Sequence, residues 1–433
     1  MMLINMNLRG WFILLMLSFT ILNGCINKNE SNNYLRIEKT TDEIRTKLVA
    51  LRRDFHENPE LAGNEVRSAK IIAKYLEELG LEVKTDIAGN GVIGILHGES
   101  AGRNIAWRAD MDALPNDFLD DVPFKSKNEG VQHGCGHDVH MAIGLGIAEV
   151  LAKNRDLLSG TIYFIFQPEE EPFKGAKNIV QTKDFLNMNL DEIYTLHVTA
   201  LPVGKIMTKA NELYAYQKRI KLSFKKSISQ KELKDLYEKI RIETLRTVDG
   251  NKPWEIPLAF DTTRGLSNAN TMFKDYFFME ENFVIHEESN QWELLADAYE
   301  TKKSNVSNIL SNIIEVINSS GYEDKFISAS FIQENPTVMN DEKLTSETSR
   351  FLENRFGSEL LMQDYGQIPY FNDDFIYFQE KIPGVYFLLG GSNKEKEINA
   401  MNHAPNFRVD EECIRVGVKT FSSLMLNRAE SEK

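Results

Sequence analysis

Eight consecutive residues, His133-Gly134-Cys135-Gly136-His137-Asp138-Val139-His140, gather three histidines, a cysteine and an aspartate in a chain that holds only eight His and three Cys. Thiolate, imidazole and carboxylate at this spacing are the donors a borderline transition metal takes. The two glycines let the backbone turn tightly between them. A solvated, histidine-rich turn would contain the same residues, so the choice depends on what else the chain brings to that place.

Three other stretches bring more. Arg108-Ala109-Asp110-Met111-Asp112-Ala113-Leu114-Pro115 follows a short apolar strand expected over 104–108. The fully apolar strand expected over 161–166 ends abruptly in Gln167-Pro168-Glu169-Glu170-Glu171. Adjacent carboxylates at the mouth of a buried strand repel one another unless a cation or proton is supplied. A third short strand, 192–196, ends in His197. In open α/β sheets ligands gather at the carboxyl ends of strands, and here three strand ends deliver Asp110, Glu170 with Glu171, and His197. Each alone has a plain reading, a turn-forming Asp or a solvated acidic loop; their convergence points to a metal site.

The elements that must position these residues follow from periodicity. Apolar residues at helical spacing predict helices over 41–53 (Ile44, Leu48, Leu51), 66–79 and 138–153. Strands are expected at 82–87 and 91–97, and the alternation of helix with apolar strand indicates an α/β sheet. His137 and Asp138 then fall at a helix amino end, where a carboxylate suits the dipole. His56, near the end of the first helix, reads as a hydrogen-bonding structural residue more readily than as a ligand. Further on, strands at 218–224 and 291–299 and helices at 230–243 and 302–318 form a second set. Cys413 lies on a C-terminal helix with Ile414, Val418, Phe421 and Met425 and reads as a small buried hydrophobe.

The 433 residues are enough for two domains, and 42% hydrophobic content is that of a globular protein with a large core. A net charge of −14 leaves no basic face for phosphates, which argues against nucleic acid. Residues 1–25 read as a targeting segment: Arg9, then an apolar run over 11–22 that is too short to span a membrane, then Leu22-Asn23-Gly24-Cys25. The last four residues resemble a bacterial lipobox, in which Cys25 would carry the lipid; a plain secretory signal is the alternative. The polar residues 26–35 suit a tether. The expected product is an exported bacterial lipoprotein anchored to the membrane through Cys25. Its remaining thiols are Cys135 and Cys413, with no evident disulfide, which favours a metal-bound thiolate at Cys135.

These motifs together resemble the M20 metallopeptidase family in its amidohydrolase branch, which includes hippurate hydrolases, N-acyl-amino-acid amidohydrolases and plant auxin-conjugate hydrolases. The matching stretches are Arg53-Asp54-Phe55-His56-Glu57-Asn58-Pro59-Glu60-Leu61, the Arg108–Pro115 stretch, the Cys/His turn, Phe166–Glu171 with Gly175-Ala176, His197, Pro336–Asp341, Asn372-Asp373-Asp374-Phe375, Pro383-Gly384 and His403-Ala404-Pro405-Asn406-Phe407. The resemblance implies an α/β mixed-sheet catalytic domain (36–210 and 323–433) interrupted by a smaller α+β lid (211–322), through which a homodimer could form. It implies two divalent ions, zinc, manganese or cobalt, with Cys135 bridging them and His137, Glu171, His197 and His403 completing the coordination. Glu170 would be the general base, and Asp110 would orient a ligand. The implied activity is metal-dependent hydrolysis of amide bonds in N-acyl amino acids or small peptides. The lid departs from the family. Where the family carries a Gly-Gly-His-Ala-like motif, whose His stabilises the oxyanion and often comes from a second subunit, this chain reads Ser223-Phe224-Lys225-Lys226-Ser227-Ile228-Ser229-Gln230. His286 is the one His in the lid, and Lys225, Lys226 and Arg264 are the candidate substitutes. A second reading follows from that departure: a metal-keeping lipoprotein that has lost turnover and acts in binding or scaffolding.

Overall fold

The computed structural model describes residues 8–430 apart from 249 and 262, with side chains from residue 32 onward. The targeting segment and Cys25 therefore lie outside the described side chains. Among the described residues no helix is long and apolar enough to cross a membrane.

The larger part of the chain builds an eight-stranded mixed sheet in the order β1-β2-β4-β3-β5-β15-β6-β14. These are β1 (Glu82–Ile87), β2 (Gly91–His97), β3 (Ser100–Asp110), β4 (Ser159–Gln167), β5 (Glu192–Pro202), β6 (Ile206–Thr208), β14 (Leu361–Gln363) and β15 (Gly384–Ser392). The central strands are apolar on both faces, as strands covered from two sides must be. One face is covered by α1 (Leu8–Glu57), α2 (Val66–Glu78), α3 (His137–Lys153) and the C-terminal helix Glu412–Glu430. α3 is buried along almost its whole length, which explains why its sequence is apolar around the full turn. The other face carries short helices at Gly175–Ile179, Lys183–Asn187 and Ile376–Gln379. A two-residue ladder joins β7 (Asn211–Glu212) to β13 (Met339–Asn340) where the chain leaves and re-enters this domain.

Between those points lies the lid, a five-stranded antiparallel sheet in the order β12-β8-β11-β10-β9. Its strands are β8 (Tyr216–Lys225), β9 (Arg246–Thr247), β10 (Tyr276–Glu287), β11 (Gln291–Glu300) and β12 (Phe326–Gln333). Helices Gln230–Thr244 and Ile309–Ser319 close its apolar face around Ile220, Leu222, Phe224, Tyr237 and Ile313. The first of these helices begins at a capping box in which Ser229 and Glu232 satisfy each other's backbone amides.

Three expectations shift. The helix expected over 302–318 is two pieces, Lys303–Val306 and Ile309–Ser319. β5 does not end at His197, because β15 pairs with it as far as Pro202. The lid sheet takes its edge strand from Phe326–Gln333, beyond the expected boundary at 322, because that segment pairs with β8.

Candidate metal centre

β3 runs parallel to both β4 and β5, so their carboxyl ends share one edge of the sheet. The last pairing of β3 with β5 is Arg108 with Thr195, and Asp110 at the end of β3 and His197 on β5 each lie two residues beyond it. The Cys/His turn enters the same edge through Gly136, the residue before α3, at φ 98°. Glycine alone takes that conformation without strain, and a Cβ there would run into Val198 Cγ1. His403 arrives on the loop after β15 with its backbone at φ 58°, a strain of about 1–3 kcal/mol that the surroundings must hold. They do so through His403 N–H, which donates to Gly134 O at 3.0 Å. Asn402 Nδ2 adds bonds to Cys135 O at 2.8 Å and Val198 O at 2.9 Å.

Cys135 Sγ lies 3.3 Å from His197 Nε2 and 3.1 Å from His403 Nε2. His403 Nε2 is 3.5 Å from Glu171 Oε1. His137 Nε2 is 3.9 Å from Glu171 Oε1 and 3.9 Å from Glu170 Oε2. Among the described residues, the groups whose donor atoms all lie within 4.8 Å of one another include Cys135, His137 and His197; Cys135, Glu171 and His403; and His137, Glu170 and Glu171, with Asp110, His137 and His140 and then Glu170, Asp373 and Asp374 behind them. The rings are oriented from behind. His137 Nδ1 donates to Asp112 O at 2.7 Å and His197 Nδ1 to Val198 O at 2.9 Å, so both Nε2 atoms face the cluster. Buried His137 Nε2 and Glu171 Oε1 have no hydrogen-bond partner among the described residues. Buried polar atoms left unpaired are costly, and a thiol, three imidazoles and a carboxylate gathered at one place suit a divalent transition metal.

The charge balance agrees. Arg108 is fully buried, 2.6 Å from Asp110, 3.0 Å from Asp373 and 3.1 Å from Asp374, and it donates to Gln167 Oε1 at 2.8 Å. One guanidinium does not neutralise these acids together with Glu170 and Glu171. Burial, with Asp373 and Glu171 alongside, pushes the Glu170 carboxyl well above its usual range. Burial also raises Asp374 to about 8 against the pull of Arg108. Burial opposes charge on His137, yet Asp110 and Asp112 outweigh it and hold the ring at about 10. Glu171 is lowered, because His403 and His137 overcome its burial. Burial, then Glu171 and Glu170, push the Cys135 thiol up. A cluster so rich in acids gathers protons, and a bound cation would displace them.

The structure brings Cys135, His137, Glu170, Glu171, His197 and His403 together. Asp110 sits behind them: its Oδ1 accepts from His140 Nδ1 at 2.6 Å, and His140 Nε2 accepts from Val198 N–H at 2.9 Å. Both His140 nitrogens are thus engaged, Nδ1 with Asp110 and Nε2 with the β5 backbone beside His197. Asp138 lies 2.7 Å from Arg52 and 2.8 Å from His56 Nδ1, while His56 Nε2 is 2.9 Å from Asp120, which makes His56 structural. His133 is buried with neither ring nitrogen hydrogen-bonded among the described residues, and burial lowers it to about 3. Asp112 is the residue that sequence reasoning left without a role. Its Oδ1 accepts Glu170 N–H and its Oδ2 accepts Glu171 N–H, each at 3.0 Å. The signal was present, a second acid just past a strand end, but telling it from Asp110 requires the fold.

The lid candidates do not reach this site. Lys225 donates to Asp324 O at 2.7 Å, and Lys226 pairs with Glu287 at 2.8 Å over the Trp292 ring. Arg264 is exposed on the turn that Asp261 caps. His286 is exposed on β10 opposite Glu293.

A large mixed sheet with an inserted lid and a Cys/His/Glu cluster at one strand edge defines a metallohydrolase-type frame. Residues 106–427 match the model of peptidase family M20/M25/M40, and the chain belongs to that family of hydrolases. It is 29% identical over 406 residues to thermostable carboxypeptidase 2 of Saccharolobus solfataricus, covering 90% of this chain and 98% of that protein. It is 30% identical over 398 residues to N-acetylcysteine deacetylase of Bacillus subtilis, covering 88% and 96%. Among solved structures, a dinuclear metal-binding M20 peptidase of Bacillus subtilis superposes with a TM-score of 0.70 at 27% identity, covering 90% of this chain and 99% of that one.

Proposed function

We propose that the chain hydrolyses amide bonds of N-acyl amino acids or small peptides at a centre of two divalent cations. The observation that carries this reading is that Cys135 belongs to two donor groups at once, one with His137 and His197 and one with Glu171 and His403. A thiolate shared in this way is a natural bridge between two ions. When bound, the ions would supply Lewis acidity toward the scissile carbonyl and toward the attacking water.

Glu170 has the geometry of a proton carrier. Its Oε2 lies 3.9 Å from His137 Nε2, and its backbone is fixed by Asp112. The burial that raises its proton affinity suits a base that takes a proton from water and returns it to the leaving amine. Arg108 stays charged, as the acids around it outweigh its burial, and His137 with Arg108 holds Asp110 well below the usual carboxylate range against its own burial. The carboxypeptidase and deacetylase names of the relatives support the amide class. The alternative, a metal-keeping protein without turnover, draws on the lid, where Lys225 and Lys226 are engaged with Asp324 and Glu287 and Arg264 is exposed.

We also propose export through residues 1–25 with lipidation at Cys25. Mass spectrometry of the amino-terminal peptide tests this, and an unmodified Cys25 in the mature protein would end it. The edge strand β12, with Ile327 and Ile332 exposed, is the proposed surface for a homodimer. Light scattering of the purified chain checks it, and a monomer at micromolar concentration would exclude it. For hydrolysis itself, Glu170→Gln is expected to keep metal and lose turnover by about 10²–10⁴-fold, measured on N-acyl amino acids. Wild-type rates in that variant would show that the base is another group.

A further inference from the structure

The turn that ends β4 carries Glu170 and Glu171, and its backbone is not relaxed. Glu169 sits at φ 53°, in the left-handed region where a side chain crowds its own backbone. Three successive amides of this turn are each received by a carboxylate. Those of Glu170 and Glu171 go to Asp112. The third, Glu169 N–H, donates to Glu65 Oε1 at 3.0 Å. Glu169 O accepts Lys174 N–H at 3.2 Å and Gly175 N–H at 2.9 Å. The strained residue is thus bonded at both its amide and its carbonyl.

Glu65 is fully buried at the residue before α2, the position from which a side chain usually caps its own helix. It makes no such cap bond. Glu60 caps the helix instead, its Oε1 accepting Arg67 N–H at 2.9 Å and its Oε2 accepting Ser68 N–H at 2.8 Å. Glu65 turns away and reaches a turn 104 positions further along the chain. Its Oε1 also accepts Gly63 N–H at 3.0 Å, and its Oε2 accepts Asn90 Nδ2 at 3.0 Å. Asn90 is fixed in turn by Gly63 O, 3.1 Å from the same Nδ2. Each of these donors is a neutral amide. A buried carboxylate held in this way is costly to keep, and α2 has no use for it. The Glu169 amide has.

We propose that Glu65 is a positioning residue for the hydrolytic centre: by holding the Glu169 amide it fixes the turn from which Glu170 and Glu171 reach their places. The effect on turnover rests on the amide-hydrolase reading, and the effect on metal binding does not. Full chains carrying Glu65→Ala, Glu65→Gln and Glu60→Ala are compared with wild type by Mn²⁺ calorimetry, by thermal melting, and by kcat and KM on N-acyl amino acids at saturating Mn²⁺. Glu65→Ala is expected to weaken Mn²⁺ binding about tenfold and to lower kcat about 10²-fold with KM little changed. Glu65→Gln keeps an oxygen for the Glu169 amide, and Asn90 can turn its own amide over to meet the new NH₂ group, so most of both losses are expected to be restored. Glu60→Ala uncaps α2; it is expected to lower the melting temperature and leave kcat and Mn²⁺ affinity unchanged. If Glu65→Ala does not fold, Glu65→Asp, which withdraws the acceptor by one methylene, carries the test with a several-fold loss of kcat and of Mn²⁺ affinity. Wild-type kcat and Mn²⁺ affinity in the Ala or Asp variant overturn the proposal. So do equal losses in Glu60→Ala, which would make α2 the support, and losses in Glu65→Gln as large as in Glu65→Ala, which would make the charge and not the acceptor the cause. Mn²⁺ binding without wild-type turnover removes the hydrolase reading instead, and a Mn²⁺ affinity that Glu65→Ala lowers and Glu65→Gln restores still upholds the positioning of the turn.

Discussion

Asp112 accepts the amide protons of Glu170 and Glu171 through its two oxygens, and the Nδ1 proton of His137 through its carbonyl. Three residues facing the metal centre thus depend on one that does not face it. Asp112→Asn turns one acceptor into an NH₂ group pointed at a backbone N–H. Metal affinity should fall about 10–100-fold, read by calorimetry with Mn²⁺; an unchanged affinity would mean that Asp112 is not a support. The protons gathered in the cluster give a second expectation. Asp110 and Asp112 outweigh burial and push His137 up to about 10, so below that pH a cation must displace its proton. Affinity should therefore rise with pH through the neutral range, with protons released on binding. Titrations in two buffers of different ionisation enthalpy measure that release, and none at pH 7 would contradict the assignment. At this level the sequence revealed residue type and missed partnership. Cys135, His137 and His197 stand out by composition. The roles of Asp373 and Asp374 depend on Arg108, more than 260 positions away in the chain.

The amino end of α3 is the element on which the centre turns. Asp138 ties it to α1 through Arg52 and His56, all three buried. Removing one member of a buried charged pair costs about 3–5 kcal/mol, so Asp138→Ala should lower the melting temperature strongly. A drop no larger than that of a surface substitution would refute this. Burial works to raise Asp138, but Arg52 and His56 hold it well below the usual carboxylate range. Its contribution is therefore present above the unfolded pKa of about 4 and lost as pH falls below it. Gly136→Ala forces both a disfavoured φ and a clash with Val198. It should cost about 1–3 kcal/mol by chemical denaturation, and a neutral effect would show that the turn can relax. Elements were legible where one period dominated, as in α2, or where a run was apolar almost throughout, as in β2 and α3. β10 escaped because its first half, Tyr276-Phe277-Phe278-Met279, is buried on both faces while its second half is mostly exposed. β12 escaped for a related reason: as an edge strand it buries little.

The molecule as a whole joins a conventional catalytic sheet to a lid whose insertion, 248–275, has left its own core and packs on the catalytic domain. Nothing in the spacing of Ala259, Leu266 and Phe273 tells which sheet they cover, and that choice is made by tertiary contacts alone. The α/β architecture and the inserted lid were readable because several motifs fall in order along the chain. The way the lid meets the site was not, because the lid sequence departs from the family there. The central claim is that these parts make a metal-dependent amide hydrolase with Glu170 as base. Its most direct test is turnover of a panel of N-acyl amino acids and dipeptides by the purified full chain. Each substrate is measured with Mn²⁺, Co²⁺ or Zn²⁺, after chelation, and in Glu170→Gln. Turnover that chelator abolishes, metal restores and Glu170→Gln reduces by about 10²-fold or more is the predicted result. Absence of metal-dependent turnover on every substrate, in a chain that binds the metal, would contradict it.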